Sequence, residues 1–156
     1  MKQEIGEGLV NVDREDDKVV ITVGSAGAFK SGSAELGKKG KAKLSEISTL
    51  LKSITKKLPS KINWIIQVEG HTDNVPFSNQ GQISNNWELS TKRATAIISI
   101  LAENKDISLE NLTAAGRSEY SPVDSNDTNE GKAKNRRIEV VLTPKLDEIS
   151  KLLNKN

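Results

Sequence analysis

The stretch Lys18-Val19-Val20-Ile21-Thr22-Val23 is a β-branched run and reads as a strand. Leu9, Val10 and Val12 supply a short partner strand, with the charged Asp13–Asp17 stretch as the turn between them. Gly24, Gly27 and Gly32 then punctuate a loop around Phe29, Ser31 and Ser33. Leu44, Ile47, Leu51, Ile54 and Leu58 follow at intervals of three, four, three and four, which places all five on one helical face. Lys38, Lys39, Lys41, Lys43, Lys52 and Lys56 fall on the opposite face, and Pro59 stops the helix. From Ile62 to Gly70 the pattern alternates, with Ile62, Trp64, Ile66 and Val68 one way and Asn63, Gln67 and Glu69 the other. Ile65 interrupts the polar set, which predicts partial cover on that second face.

A polar loop then runs to Ser84. Asn85 occupies an N-cap position with Glu88 three residues on, so a second helix is predicted from Asn86 to Asn104. Leu112–Ala115 reads as a short strand closed by Gly116. Asp127 or Thr128 caps a short helix through Lys134, and Arg137–Leu142 alternates as a strand. Thr143-Pro144 reads as a cap and first helical residue, with Leu146, Ile149 and Leu153 as a last apolar stripe. Strands and helices in this order predict an α/β (α+β) sandwich, one mixed sheet with helices packed on it.

Composition narrows the function more than the fold. At 156 residues the chain has the length of one domain. The absence of cysteine excludes a disulfide scaffold, a thiol nucleophile and a thiolate metal site. A net charge of +2 is too small for electrostatic capture of nucleic acid or anionic lipid. An aromatic content of 3% is too sparse for a base-stacking surface. No apolar run approaches the ~20 residues of a membrane span, and the first ten residues lack a signal-peptide core. Composition fits both a cytosolic protein and a piece of a longer secreted or anchored chain.

Arg93 is the main anomaly. It lies four residues after Leu89 and four before Ile97, so its guanidinium is aimed at or beside the buried face of the second helix. A charge there needs an acidic partner or an anionic ligand, because an unpaired buried charge costs several kcal/mol. Asp73, just past the Ile62–Gly70 strand and in the loop leading to this helix, is the nearest candidate. The two admit two readings. One is a structural Asp73–Arg93 salt bridge. The other is a two-pronged receptor for a zwitterion, the carboxylate taking an ammonium and the guanidinium a carboxylate.

Other constellations carry less. His71 is the single histidine, and without further ligands or a G-x-S-x-G elbow it reads as a loop-bonded structural residue, not a metal ligand or triad member. Asp124–Gly131 resembles a calcium loop, but position six from Asp124 is Asn129 and position twelve is Asn135. Gly37–Ala42 lacks the spacing and the Ser or Thr of a phosphate loop. The lysines of the first helix form a solvated face. Arg136 and Arg137 read as surface charge flanking an edge strand or as neighbours of a binding loop.

Several motifs coincide with one family. Phe29-Lys30-Ser31-Gly32-Ser33-Ala34-Glu35-Leu36 resembles the opening segment of OmpA-like peptidoglycan-binding domains. Val68-Glu69-Gly70-His71-Thr72-Asp73-Asn74 is similar to their strand-to-loop signature, and Leu89-Ser90-Thr91-Lys92-Arg93-Ala94 to their L-S-x-x-R-A helix. The segment Ala115–Val123 resembles their G-x-G-E-x-x-P-V stretch, with Arg117-Ser118 in place of the usual x-G. Asn135-Arg136-Arg137-Ile138-Glu139-Val140 is similar to the closing N-R-R-V-E strand. The match runs in order from about Val19 to Leu142. Asn74-Val75-Pro76 and Ser84–Ser90 further resemble the flagellar stator B-subunit branch, the MotB and PomB type.

The resemblance implies a β-α-β-α-β-β mixed sheet with helices on one face. It divides the chain into a lead-in over residues 1–18, an OmpA-like domain over 19–143 and a C-terminal helix over 144–156. It implies that Asp73 and Arg93 bind the diaminopimelate of the peptidoglycan stem, with Thr72, Asn74 and Leu89 lining the groove and Arg136 supporting it. The implied role is a non-enzymatic anchor of a membrane complex to the cell wall, without metal, cofactor or nucleic acid. A stator subunit would lie in the periplasm, dimerise, and join a membrane-embedded partner through a segment upstream of Met1. An envelope lipoprotein, a secretion-system anchor, or a protein-interaction module with a structural Asp–Arg bridge are the other implied roles.

Overall fold

The computed structural model describes residues 3–5, 10–15, 18–26, 28–30, 32–57, 64–78, 82–105 and 107–144. Six strands form one sheet: β1 (Gln3–Ile5), β2 (Val10–Glu15), β3 (Lys18–Gly24), β4 (Trp64–His71), β5 (Leu112–Gly116) and β6 (Arg137–Pro144). Among the described residues three α-helices accompany them: α1 (Lys38–Lys57), α2 (Asn86–Leu101) and the short α3 (Asn129–Asn135). The spatial order is β1-β2-β3-β6-β4-β5. Every neighbouring pair is antiparallel except β4 with β5, which α2 joins as a parallel crossover. From β3 onward this is the expected β-α-β-α-β-β mixed sheet, with α3 interposed before β6.

Period-2 and period-3.6 patterns meet on one face of the sheet. Ile21 and Val23 of β3, Ile66 and Val68 of β4, and Ile138, Val140 and Leu142 of β6 are buried against the helices. Leu44, Ile47 and Leu51 of α1 and Ala94, Ile97 and Leu101 of α2 close the core from above. Ile54 is half-buried at its margin, as the 3-4-3-4 spacing requires, and Leu58 and Pro59 lie outside the described residues. α2 begins where the sequence placed it. The Asn85 side chain accepts from the Glu88 N–H at 2.9 Å, and Glu88 Oε2 accepts in return from the Ser84 N–H at 3.0 Å. The return bond therefore reaches one residue beyond the usual capping box.

Two glycines let α2 lie flat on the sheet. A Cβ on Gly70 would stand 2.0 Å from the Ser90 carbonyl oxygen, and one on Gly116 2.0 Å from Thr91 Oγ1. No larger residue allows this approach without moving backbone.

Three local expectations need correction. The charged residues Asp13–Glu15 are not turn but strand, because β2 pairs with β3 down to Glu15 opposite Lys18. Pro144 does not open a helix. It ends β6 opposite Trp64, a strand-end position where its missing N–H costs little. β6 is not an edge strand either, since it lies between β3 and β4, and Arg137 at its start is buried. The helix expected over 144–156 lies, apart from Pro144, outside the described residues.

Candidate functional site

Asp73 and Arg93 both sit at the C-terminal end of β4, where α2 crosses it. Gly70 ends the tight part of that crossing, and three residues later the chain presents Asp73, buried at the mouth of the loop. Its Oδ1 accepts from the Val75 N–H at 3.0 Å, an Asx-type turn that fixes the carboxylate. Its Oδ2 accepts from Arg136 Nη1 at 2.6 Å. Asp73 is thus paired with Arg136 and not with Arg93. The cause is topological: β6 runs antiparallel beside β4, so the residue before β6 lies next to the residues after β4.

Arg93 is buried and has a different environment. Its Nε donates to the Ser33 carbonyl at 2.9 Å, and its guanidinium carbon lies 5.0 Å from the centre of the Phe29 ring. Among the described residues no carboxylate pairs with it. Burial first, and then the neighbouring Arg136 charge, lower its pKa, though a guanidinium stays protonated regardless. Arg136 is neutralised by Asp73, and the Arg93 guanidinium near it has no carboxylate of its own among the described residues. That leaves one net positive charge in a partly desolvated recess.

The other predicted site residues fall around this group. Thr72 is buried, donating its backbone N–H to the Ser118 carbonyl at 2.9 Å and its hydroxyl to the Asp73 carbonyl at 2.8 Å. Leu89 is buried on α2 one turn before Arg93, whereas Asn74 is exposed on the loop. Arg136 is half-exposed, with 40% of its side chain accessible, which suits a group that can meet a ligand.

Two motif residues that were not assigned to the site hold its walls. Ser118 adopts φ 55°, the left-handed region. It stands where the resembling family carries glycine, and its backbone strain is the physical reason glycine is usual there. Its N–H donates to Ser90 Oγ at 3.1 Å and its carbonyl accepts from the Thr72 N–H, so this departure reaches the site through Thr72. Asn135 is fully buried: its Oδ1 accepts from the Val123 and Asp124 N–H groups at 2.7 and 3.1 Å, and its Nδ2 donates to the Asp124 carbonyl and Asn126 Oδ1. It fastens the preceding loop to the start of β6, where Arg136 begins.

His71 points to the helix-free face of the sheet. Its Nε2 lies 3.4 Å from Glu69 Oε1 and 3.5 Å from Glu139 Oε2, ion-pair contacts without hydrogen-bond alignment. Arg117 Nε lies 3.2 Å from Glu69 Oε1 and Arg137 Nε 2.9 Å from Glu139 Oε1. Burial pushes the imidazole pKa down, but Glu139 and then Glu69 outweigh it, and the net shift is upward. The imidazole first and then Arg137 hold Glu139 down to about 2 against the cost of burial. These groups line a cleft of about 340 Å³. The three potential ligands could gather a metal ion by position, but both carboxylates are already engaged by guanidinium groups. The cluster is a charge-balanced network across β4 and β6.

Comparison with known proteins agrees with this geometry. Residues 28–136 match the model of the OmpA family. Motility protein B of Bacillus subtilis (strain 168) is 39% identical over 127 residues, covering 81% of this chain and 46% of that protein. The chain spans about half the length of the curated relatives it matches. A solved MotB-like protein from Desulfovibrio vulgaris superposes with a TM-score of 0.76 at 27% identity, covering 89% of this chain and 81% of that one. The cell wall anchor of the T6SS from Pseudomonas aeruginosa superposes with a TM-score of 0.72 at 30% identity, covering 88% and 89%. With its strand-to-loop signature, its buried helix arginine and its mixed sheet matched over most of its length, the chain belongs to the OmpA family.

Proposed function

We propose that the domain binds peptidoglycan non-covalently, through the diaminopimelate of the peptide stem, and anchors a membrane complex to the cell wall. The observation that carries this reading is Arg93: a buried guanidinium that feels the Arg136 charge and has no carboxylate partner among the described residues, while Asp73 is held by Arg136. A ligand carboxylate would neutralise the surplus positive charge, and the ligand ammonium would use the lone pairs left on Asp73. Thr72, Asn74 and Leu89 shape the recess, and Arg136 holds the acid. No step of bond making or breaking is needed, and the role is binding alone.

Two charge-assisted contacts at about 1.5–3 kcal/mol each give a monovalent Kd from about millimolar to tens of micromolar. Such affinity serves an anchor when two copies face a polymer, so the reading includes a homodimer. Likeness to motility protein B and to a cell wall anchor supports a stator-type role on the wall side of the membrane, the periplasm. The membrane-embedded stator partner would be reached through a segment upstream of this chain.

Co-sedimentation with purified diaminopimelate-type peptidoglycan tests the reading. Wild type should pellet with the wall, while folded Asp73→Ala and Arg93→Ala should stay in solution. Wall binding undiminished in either variant would overturn the site.

A further inference from the structure

The chain has five aromatic residues, Trp 2, Tyr 1 and Phe 2. Three of them, Phe77, Trp87 and Tyr120, line one surface cleft of about 380 Å³. Trp87 is 51% exposed and Tyr120 66% exposed, and their rings stack at 5.3 Å between centroids with 29° between planes. Neither ring belongs to the buried core. A pair of large aromatic faces kept at the surface loses the burial free energy they would gain inside, so the arrangement calls for a ligand.

The cleft adjoins the peptide recess through shared walls. Asn86 in its lining donates Nδ2 to the Val75 carbonyl at 2.9 Å, and Val75 holds Asp73 by its N–H. Ser118 in the same lining accepts the Thr72 N–H. The loop that carries Asp73 is therefore bonded directly to two residues of the aromatic cleft.

We propose that this cleft is a carbohydrate subsite, which takes a pyranose ring of the N-acetylated amino-sugar strand to which the peptide stem is attached. The inference rests on the reading of Asp73 and Arg93 as the stem site. A pyranose has an apolar C–H face bearing partial positive charge, which complements the negative face of an indole or phenol ring. Its hydroxyl and acetamido groups lie at the rim, where Ser84, Asn85 and Ser118 line the cleft. The volume of about 380 Å³ suits one or two rings. Because sugar and stem are one molecule, stacking multiplies the affinity of the charged contacts.

The test is calorimetric titration of the chain with two probes, a free diaminopimelate-containing stem peptide and the same peptide carrying its disaccharide. Wild type should bind the disaccharide-peptide about five- to tenfold more tightly than the free peptide. Trp87→Ala and Tyr120→Ala should erase that difference while binding the free peptide as wild type does, with Trp87→Phe retaining part of it. Asp73→Ala should lose the free peptide. A Trp87→Ala variant that still favours the disaccharide-peptide as wild type does overturns the subsite and leaves the stem site standing. Free-peptide binding that ignores Asp73→Ala overturns the stem site, and a Trp87-dependent preference for the sugar then stands alone. Binding of neither probe by wild type overturns both.

Discussion

Glu69 and Glu139 occupy directly opposed positions on β4 and β6, and His71 Nε2 lies within 3.5 Å of a carboxylate oxygen of each. Like charges facing each other across two strands repel, so the fold needs the cations around them. Arg117 and Arg137 each pair with one of the two carboxylates, and Lys18 lines the same cleft.

Stability should therefore depend on the His71 proton. Its folded pKa lies above the ordinary 6.5, so its contribution is full below that value and lost as pH rises through the folded one. Glu139 works in the opposite sense: its contribution is full above 4.5 and lost as pH falls toward about 2. Thermal melts between about pH 5 and pH 9 should show wild-type Tm declining on the alkaline side, and His71→Gln lacking that decline. Parallel curves for the two proteins would contradict the network.

Arg93 and Arg136 should separate in their effect on folding. Arg93→Ala removes a buried hydrogen bond to Ser33 and the contact over Phe29, a loss of about 1–3 kcal/mol. Arg136→Ala breaks a half-exposed ion pair and should cost about 1 kcal/mol or less. Urea titration of both variants measures the order, and a larger loss for Arg136→Ala would refute it.

Gly70→Ala should be severely destabilising, because its Cβ would meet the Ser90 carbonyl oxygen at 2.0 Å. The backbone of β4 or α2 must give, at about 3 kcal/mol or more. Gly24→Ala, with nothing within 4 Å of the new Cβ, is the control and should leave Tm nearly unchanged.

Ser118→Gly should stabilise the chain. A non-glycine residue at φ 55° carries a backbone cost of about 1 kcal/mol, and the hydrogen bonds of Ser118 use its main chain, which glycine keeps. A gain of about 0.5–1 kcal/mol is expected in chemical denaturation, and a loss would mean that the hydroxyl matters.

Asn135→Ala removes a fully buried amide and, with it, the side-chain acceptor of the Val123 and Asp124 N–H groups. A cost of about 1–3 kcal/mol follows from the lost hydrogen bonds of the buried amide. Hydrogen exchange should quicken at both amides before the core strands open.

The elements that local pattern could specify were legible in the chain. The 3-4-3-4 spacing of α1, the alternation of β4 and the Asn85 cap each depend on residues a few places apart. Arg93 was legible as an anomaly because helical period alone put a cation on a buried face. Its freedom from Asp73 was not. The Arg136–Asp73 pair spans 63 residues and exists because β6 enters the sheet beside β4, which no local pattern encodes. The same insertion buries Arg137, whose Nη2 donates to the Ser121 carbonyl at 2.9 Å. Likewise Asp13–Glu15 form strand because β3 offers a ladder, overriding the weak strand preference of acidic residues. The Trp87–Tyr120 stack joins a helix to a distant loop and was equally out of reach.

The flush contact of Gly70 against Ser90 has a consequence for how the domain tolerates change. Asp73 is carried by the end of a strand and Arg93 by a helix, and backbone contact between those two elements sets their separation. The intervening chain closes a loop whose entropy rises only by about 0.6 kcal/mol for each doubling of length. The length of that connection therefore has little hold on the spacing of the two charges. A longer or shorter connection can present the same pair of charges at the same separation.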